Sequence, residues 1–305
     1  VAKLPNPPDP TLVAADAALV ANQERRKRDY LGMSAIGDPC ERKLWLSFRH
    51  AKSASFDAIT LKRFEDGHRT EDVIIARLRA VDGIEIYDRN EDGKQICARD
   101  LGGHFRGHYD FIVRGLLQAP SAWHIGEVKC SAKIGELEKH KALFGDKNAL
   151  AAWNETYYAQ AQCYMGYENL DRHYLVCTAP GGREWTSVRT DFDPASFIGY
   201  KAKAERVIFN DTAPPRIGES THWLCRMCDM HGICHDSELP ERSCRICVHA
   251  TPERSGGWTC ALGKLLMPCA DHRYNPSMLK RRQIDVQDGS IVYADGYVDR
   301  GPEGV

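Results

Sequence analysis

Apolar and polar positions along the chain switch between a helical and a strand period, and the switches lay out the elements. Residues 11–30 are Ala-rich and predict a helix closing on the basic run Glu24-Arg25-Arg26-Lys27-Arg28. A second helical stretch is expected over 34–48, with Ser34 as its cap and Cys40, Arg42 and Trp45 along it. Over 58–81, Ile59, Phe64, Val73, Ile74, Arg77 and Leu78 fit a helical period around polar positions, the pattern of an amphipathic helix.

Short strand-like runs follow. Residues 84–87 and 95–98 flank the turn Asn90-Glu91-Asp92-Gly93 and predict a hairpin. Residues 105–113 read as a third strand and, after Gly115 and Pro120, residues 122–129 as a fourth. Residues 136–168 are helical with a break near Gly145-Asp146. Strands are expected at 172–178 and 184–189, a closing helix at 194–209, and a small hairpin around 284–286 and 291–293. This order suits an α/β fold with a mixed sheet flanked by helices. The proline-bearing segment 211–216 marks a boundary. The expected units are a tail and helix over 1–33, a core over 34–213, a Cys-rich segment over 214–240, and a second Cys-rich module with its tail over 241–305.

Composition narrows the classes. At 305 residues the chain can hold one full α/β domain plus an appendage. No apolar run is long enough for a bilayer span, and residues 1–10, with four prolines, resemble a disordered tail rather than a secretory signal. A cytoplasmic location is therefore expected. The formal charge of −1 gives no global argument for nucleic-acid binding, so any such contact must come from local Lys and Arg.

The chemistry concentrates at Gly107-His-Tyr-Asp110 and Glu127-Val128-Lys129. On a strand, side chains at i and i+2 share a face, so Glu127 and Lys129 converge while Val128 turns to the core. An antiparallel neighbour would bring Asp110 beside them. Two carboxylates form a hard-oxygen site suited to Mg²⁺ or Mn²⁺, and a lysine there can orient water or stabilise phosphate charge. His68 and Glu71 share a face of the preceding helix, as do Gln160 and Tyr164 on the following one. His104 and His108 flank Asp110, and a histidine on a strand is more often structural than catalytic.

Twelve cysteines without an export signal point to metal ligation rather than disulfides. Cys97, Cys130, Cys163 and Cys177 are scattered and read as small buried hydrophobes. Cys225, Cys228 and Cys234 form C-x2-C-x5-C, and Cys40 is the candidate fourth thiolate of a [4Fe–4S] cluster or a Zn²⁺ site. His231 or His235 are alternative zinc ligands. Closing a loop of about 185 residues would restrict the unfolded chain strongly. Cys244, Cys247, Cys260 and Cys269, spaced C-x2-C-x12-C-x8-C, read as a zinc ribbon centred on Trp258, with His249 or His272 able to replace one thiolate.

The order Gly67-x-x-x-Glu71, Gly107-x-x-Asp110, Glu127-x-Lys129, Gln160-x-x-x-Tyr164 resembles motifs I to IV of RecB-like PD-(D/E)XK nucleases. That group includes AddB-type subunits, YqaJ-type viral exonucleases and CRISPR-adaptation nucleases. Its iron–sulfur members pair a lone N-terminal Cys with a C-terminal C-x2-C-x5-C, as Cys40 and Cys225-Cys228-Cys234 do here. The resemblance spans about residues 34 to 234. It implies a restriction-endonuclease-like core with Asp110, Glu127 and the Val128 carbonyl as metal ligands, Glu71 favoured over His68 as a further one, and Lys129 catalytic. It also implies that Gln160 and Tyr164 contact DNA or order the site, and that the cluster is a [4Fe–4S] staple. The function it points to is a metal-dependent exonuclease acting on DNA ends, with a single-strand annealing protein or another recombination factor as partner. A CRISPR-type end processor, an endonuclease and a non-catalytic DNA-binding scaffold are the alternatives.

Overall fold

The computed structural model describes residues 8–23, 27–264, 267, 269–279, 283–287, 290–293 and 298–299. Most of the proline-bearing start and the first three residues of the basic run lie outside them.

Helix α1 (Pro10–Ala21) is capped by Asp9 and ends seven residues before the basic run does. The two-residue strand β1 (Leu31–Gly32) follows. The second helix, α2 (Glu41–Phe48), starts later than its apolar period suggests. Ser34 sits in a separate 3-10 turn, Met33–Ala35. Pro39 cannot donate to a continuous helix, so Cys40 becomes the cap instead, its Sγ accepting from Lys43 N at 3.4 Å. Helix α3 (Ala58–Arg79) matches the amphipathic reading, but only its C-terminal half is covered: Ile74, Ile75 and Leu78 are buried, while Ile59, Phe64 and Val73 remain exposed.

Strands β2 (Glu85–Tyr87) and β3 (Cys97–Asp100) do not form the expected hairpin ladder. Their turn is present, with Asn90 N donating to Lys94 O at 2.8 Å and Gly93 at φ 72°, and a single bridge joins Arg89 to Gln95. Beyond it the strands diverge into different sheets. The single strand expected over 105–113 is likewise two, β4 (Phe105–His108) and β5 (Phe111–Arg114). Tyr109 and Asp110 form the joint.

Strand β6 (His124–Cys130) leads into α4 (Ile134–Phe144), α5 (Ala149–Trp153) and α6 (Glu155–Glu168). Gly145, at φ 77°, makes the anticipated break, and Asn154 makes a second by capping α6. Strands β7 (Arg172–Thr178) and β8 (Trp185–Asp191) and helix α7 (Pro194–Phe209) complete the core. The larger sheet has the order β2-β5-β6-β7-β8, with β6 and β7 parallel and the other pairs antiparallel. A smaller sheet runs β1-β4-β3.

Two apolar layers enclose the larger sheet. Phe111, Val113, Val128 and Val176 pack with Ile74, Ile75 and Leu78 of α3. Ile125, Leu175, Cys177 and Val188 join the cluster that contains Ala159, Cys163 and Tyr164 of α6 and Val207 and Ile208 of α7. Phe111 lies across its register partner Gly126, where an added Cβ would fall 2.0 Å from the ring. Gly126→Ala is expected to cost about 1–3 kcal/mol by overpacking. In urea unfolding this appears as a lower midpoint with an unchanged slope.

The Cys-rich C-terminal part contains the short helices α8 (Trp223–Arg226) and α9 (His231–His235), then the strands β9 (Ala250–Pro252) and β10 (Trp258–Cys260), which pair antiparallel. Strands β11 (Gln283–Gln287) and β12 (Ser290–Tyr293) form the expected hairpin, extended by β13 (Val298–Asp299). This part is docked on α2. Arg42 donates to the carbonyls of Pro214 (3.0 Å), Ser277 (2.9 Å) and Met278 (2.7 Å). Trp258 is not the centre of a separate ribbon. Its ring lies 5.4 Å from that of Phe48, with the Arg49 and Arg245 guanidinium groups against it. A large flat ring gains more apolar contact on the core than a small Cys-rich knuckle can offer.

Candidate metal-dependent active site

The joint between β4 and β5 shapes the site. Ladder pairing of β5 with β6 runs from Val113↔His124 to Phe111↔Gly126. One residue further, the side chain of Asp110 replaces a backbone acceptor: its Oδ2 accepts from Val128 N at 2.7 Å. The register break thereby fixes a buried carboxylate beside the next strand.

Glu127 and Lys129 share a face of β6 and form an ion pair, with Glu127 Oε1 as acceptor. Gln160 of α6 donates to the same Oε1 at 3.1 Å. Gln160 Nε2 lies 3.0 Å from the Tyr164 hydroxyl, which donates to the His108 carbonyl at 2.9 Å. Gln160 and Tyr164 are thus brought to the site as buried groups that hold Glu127 and the β4 backbone in place. Glu127 Oε2 is buried and has no hydrogen-bond partner. Val128 itself faces the α3 layer.

Glu71 and His68 approach from α3 and, with Asp72, Arg89, Gln95 and Asp110, line a cleft of about 210 Å³. Both motif I candidates therefore reach the same space. His104 does not: it is buried against the C-terminal part, its Nε2 3.0 Å from the Glu253 carbonyl. Tyr157 is a site residue that the motif order did not single out. Lys129 Nζ sits 5.1 Å from its ring centroid, and its position one turn before Gln160 was the available signal.

Burial, then repulsion from Asp110, pushes the Glu127 carboxyl up to about 8, against the pull of Lys129. Burial, then Asp110 and Asp72, pushes Glu71 up to about 7. Asp110 is also raised, chiefly by burial, with Lys129 opposing. Burial alone would lower the Lys129 pKa, but Glu127 and Asp110 outweigh it and hold the ammonium charged. The crowded carboxylates and the unpartnered Glu127 oxygen are hard donors of the type that divalent cations prefer.

The shifts have a sign in stability. Between the ordinary carboxylate value of 4.5 and about 8, the native state holds protons on Glu71 and Glu127 that the unfolded chain has released. Stability without divalent metal is thus expected to fall as pH rises through that window. Thermal melts from pH 5 to 9 without added metal check this. A Tm that climbs with pH would contradict it.

Cys40, Cys225, Cys228 and Cys234 line one cavity of about 50 Å³, together with Arg42, Lys43 and His231. Burial raises the Cys225 thiol, with Cys40 and Cys234 adding to it, and burial pushes Cys228 up to about 11. His231 Nδ1 is engaged by the Cys225 carbonyl at 2.9 Å. Cys244, Cys247, Cys260 and Cys269 line a second cavity of about 20 Å³ with His249 and His272. Burial, then Cys247, Cys269 and Cys260, raises Cys244. Both thiol quartets fit soft-metal chemistry by donor type. Among the described residues, no three or more His, Cys, Asp or Glu are disposed as they stand to hold a metal ion. No described helix is long and apolar enough to cross a membrane.

No family model matches the chain, and no curated protein does. Solved structures give distant likenesses. The protein SSO0001 is 12% identical with a TM-score of 0.39, over 73% of this chain and 94% of its own. The alkaline exonuclease LHK-Exo of Laribacter hongkongensis is 14% identical with a TM-score of 0.41, over 63% and 90%. A phage-related exonuclease from Haemophilus somnus is 14% identical with a TM-score of 0.40, over 58% and 91%.

Proposed function

We propose that this chain is a divalent-metal-dependent deoxyribonuclease of the RecB-like PD-(D/E)XK kind, acting on DNA ends as an exonuclease. The observation that carries the reading is Glu127: a buried carboxylate with one unpartnered oxygen, crowded by Asp110 and Glu71 and paired with Lys129. Packing alone gives no reason to bury Asp110 and Glu127, with Glu71 half-buried beside them, around one lysine.

Asp110, Glu127 and the Val128 carbonyl would hold the metal, with Glu71 rather than His68 completing the set. Bound there, Mg²⁺ or Mn²⁺ supplies Lewis-acid activation of water and neutralises charge at the scissile phosphate. Lys129, held charged within the site, orients the attacking water or stabilises the charge that grows on the phosphate. Gln160 fixes the Glu127 carboxylate, and Tyr164 ties Gln160 to the β4 backbone.

In the same reading, Cys40, Cys225, Cys228 and Cys234 hold a [4Fe–4S] cluster that fastens the start of α2 to α8 and α9. Cys244, Cys247, Cys260 and Cys269 hold a structural Zn²⁺. The shared cavities support both assignments. Anaerobic preparation should then give a brown protein whose visible absorption is lost in Cys40→Ser, while zinc remains in metal analysis.

Linear end-labelled DNA and a covalently closed circle, each with Mg²⁺ or Mn²⁺, test the activity. Degradation of the linear substrate alone supports the exonuclease. Nicking of the circle assigns an endonuclease instead. Binding without cutting in either metal leaves a non-catalytic scaffold and sinks the proposal.

A further inference from the structure

The smaller sheet, β1-β4-β3, turns one face to the core through Leu31, Ala98 and Phe105. Gly107 lies against α6 on that side, where an added Cβ would meet Tyr164 at 2.4 Å. The other face is basic. Arg106 and Arg99 stand directly opposite each other across β4 and β3, and His108 follows Arg106 on the same side of its strand. Arg28 reaches this face from the chain before β1. Its guanidinium occupies the space over Gly32, the register partner of Arg106, where a Cβ would be 2.4 Å from Nη1. The Arg28 and Arg106 guanidinium carbons lie 5.3 and 5.2 Å from the Tyr30 ring centroid, and the Tyr30 and His108 rings are 6.4 Å apart.

Like charges set directly opposite on neighbouring strands destabilise a sheet. Arg69, Arg79, Arg189, Arg206 and Arg254 form ion pairs with nearby carboxylates. Arg28, Arg99 and Arg106 are not among them. An uncompensated cationic face of this kind is what an anionic ligand would relieve.

The face borders the candidate active site. The His108 carbonyl takes the Tyr164 hydroxyl, and His108 stands two residues before Asp110, at most about 7 Å of chain. Along a duplex axis one strand carries a charge about every 3.4 Å, so that span covers at most roughly two phosphates. Guanidinium forks match phosphate oxygens in a bidentate manner.

We propose that the outer face of the β1-β4-β3 sheet, through Arg28, Arg99 and Arg106 around Tyr30, binds the sugar–phosphate backbone of the nucleic-acid strand beside the scissile bond. The proposal takes its ligand from the nuclease reading but does not need cutting to be tested. The guanidinium groups position the strand and take no part in the bond cleavage.

The test uses the whole 305-residue chain carrying Asp110→Asn, so that DNA stays whole, and follows binding of a labelled oligonucleotide by anisotropy over a salt series. Arg99→Gln is expected to reduce the slope of log affinity against log salt by about 0.7 on a single strand, and Arg99→Gln with Arg106→Gln by about twice that. The melting temperature should hold or rise, because the like-charge pair is gone. Arg69→Gln, an exposed arginine on α3, serves as control and should leave the slope unchanged. Unchanged slopes in the folded double variant overturn the proposal, as does an equal loss in the control. Binding of polyglutamate through these arginines, with DNA unaffected, overturns it in favour of an acidic protein partner. A wild type that binds through Arg99 and Arg106 yet cuts nothing sinks the nuclease reading and leaves this surface standing. One that cuts with unchanged slopes does the reverse.

Discussion

Asp110→Asn is expected to lower DNA cleavage by on the order of 10³-fold or more while making the metal-free protein more stable. The Asn side chain keeps an oxygen that can accept from Val128 N, so the joint between β4 and β5 survives. What disappears is a negative charge that, after burial, is the main cause raising Glu127 and Glu71. Relief of that repulsion should add about 0.5–2 kcal/mol, the usual size of a gain made at the expense of an active site. Cleavage falls because one hard-oxygen ligand of the proposed metal becomes neutral. Melting in the absence of divalent metal and initial rates on labelled DNA measure the two effects. A variant both less active and less stable would mean that the carboxylate is structural.

Lys129→Ala should also lose most of its activity but shift stability the other way. The ammonium is mostly buried and is the positive charge that opposes desolvation at both Glu127 and Asp110. Removing one partner of such a pair leaves uncompensated charge and costs about 3–5 kcal/mol. For a chain of this size that is a fall in Tm on the order of 10 °C. The loss should be greatest above pH 8, where the carboxylates must ionise, and smaller near pH 5, where they can take up protons. Rates should fall by about 10²–10³-fold or more from the loss of a preorganised positive group. An Asp110→Asn, Lys129→Ala double variant with stability near that of wild type would show that the two effects are one electrostatic coupling. Independent addition would contradict it.

These opposite signs come from contacts that the sequence only partly revealed. Helix α7, strand β7 and the break at Gly145 were legible because period and punctuation agree there. The same holds for the apolar face at the end of α3. The joint at Tyr109-Asp110 was not legible. Phe105, Gly107, Tyr109 and Phe111 keep a strand-like alternation, and nothing local tells that Asp110 will take a backbone donor from a strand eighteen residues away. The separation of β2 from β3 was hidden for a similar reason: the turn is local, but the partner of β2 is β5.

At the candidate site, the i, i+2 rule placed Glu127 and Lys129 together, and helical spacing placed Gln160 with Tyr164. Spacing alone gave no hint that Gln160 would grip Glu127, or that Glu127 Oε2 would be left without a partner. Each of the two cysteine sets that spacing singled out lines one cavity. Trp258 was misplaced because its neighbours in sequence are the second thiol set, whereas its neighbours in space are Phe48, Arg49 and Arg245. Arg28, Arg99 and Arg106 carry no motif, and only the register of β1, β4 and β3 assembles them.

The most direct test of the central claim is loss of end-labelled linear DNA by anaerobically prepared protein in Mg²⁺ or Mn²⁺, against EDTA and against Lys129→Ala and Asp110→Asn. Metal-dependent loss in wild type, absent in both variants while each remains folded by circular dichroism, is the predicted result. Well-folded wild type that leaves the DNA whole in both metals, or variants that cut as fast as wild type, would contradict the assignment of Asp110, Glu127 and Lys129 to catalysis.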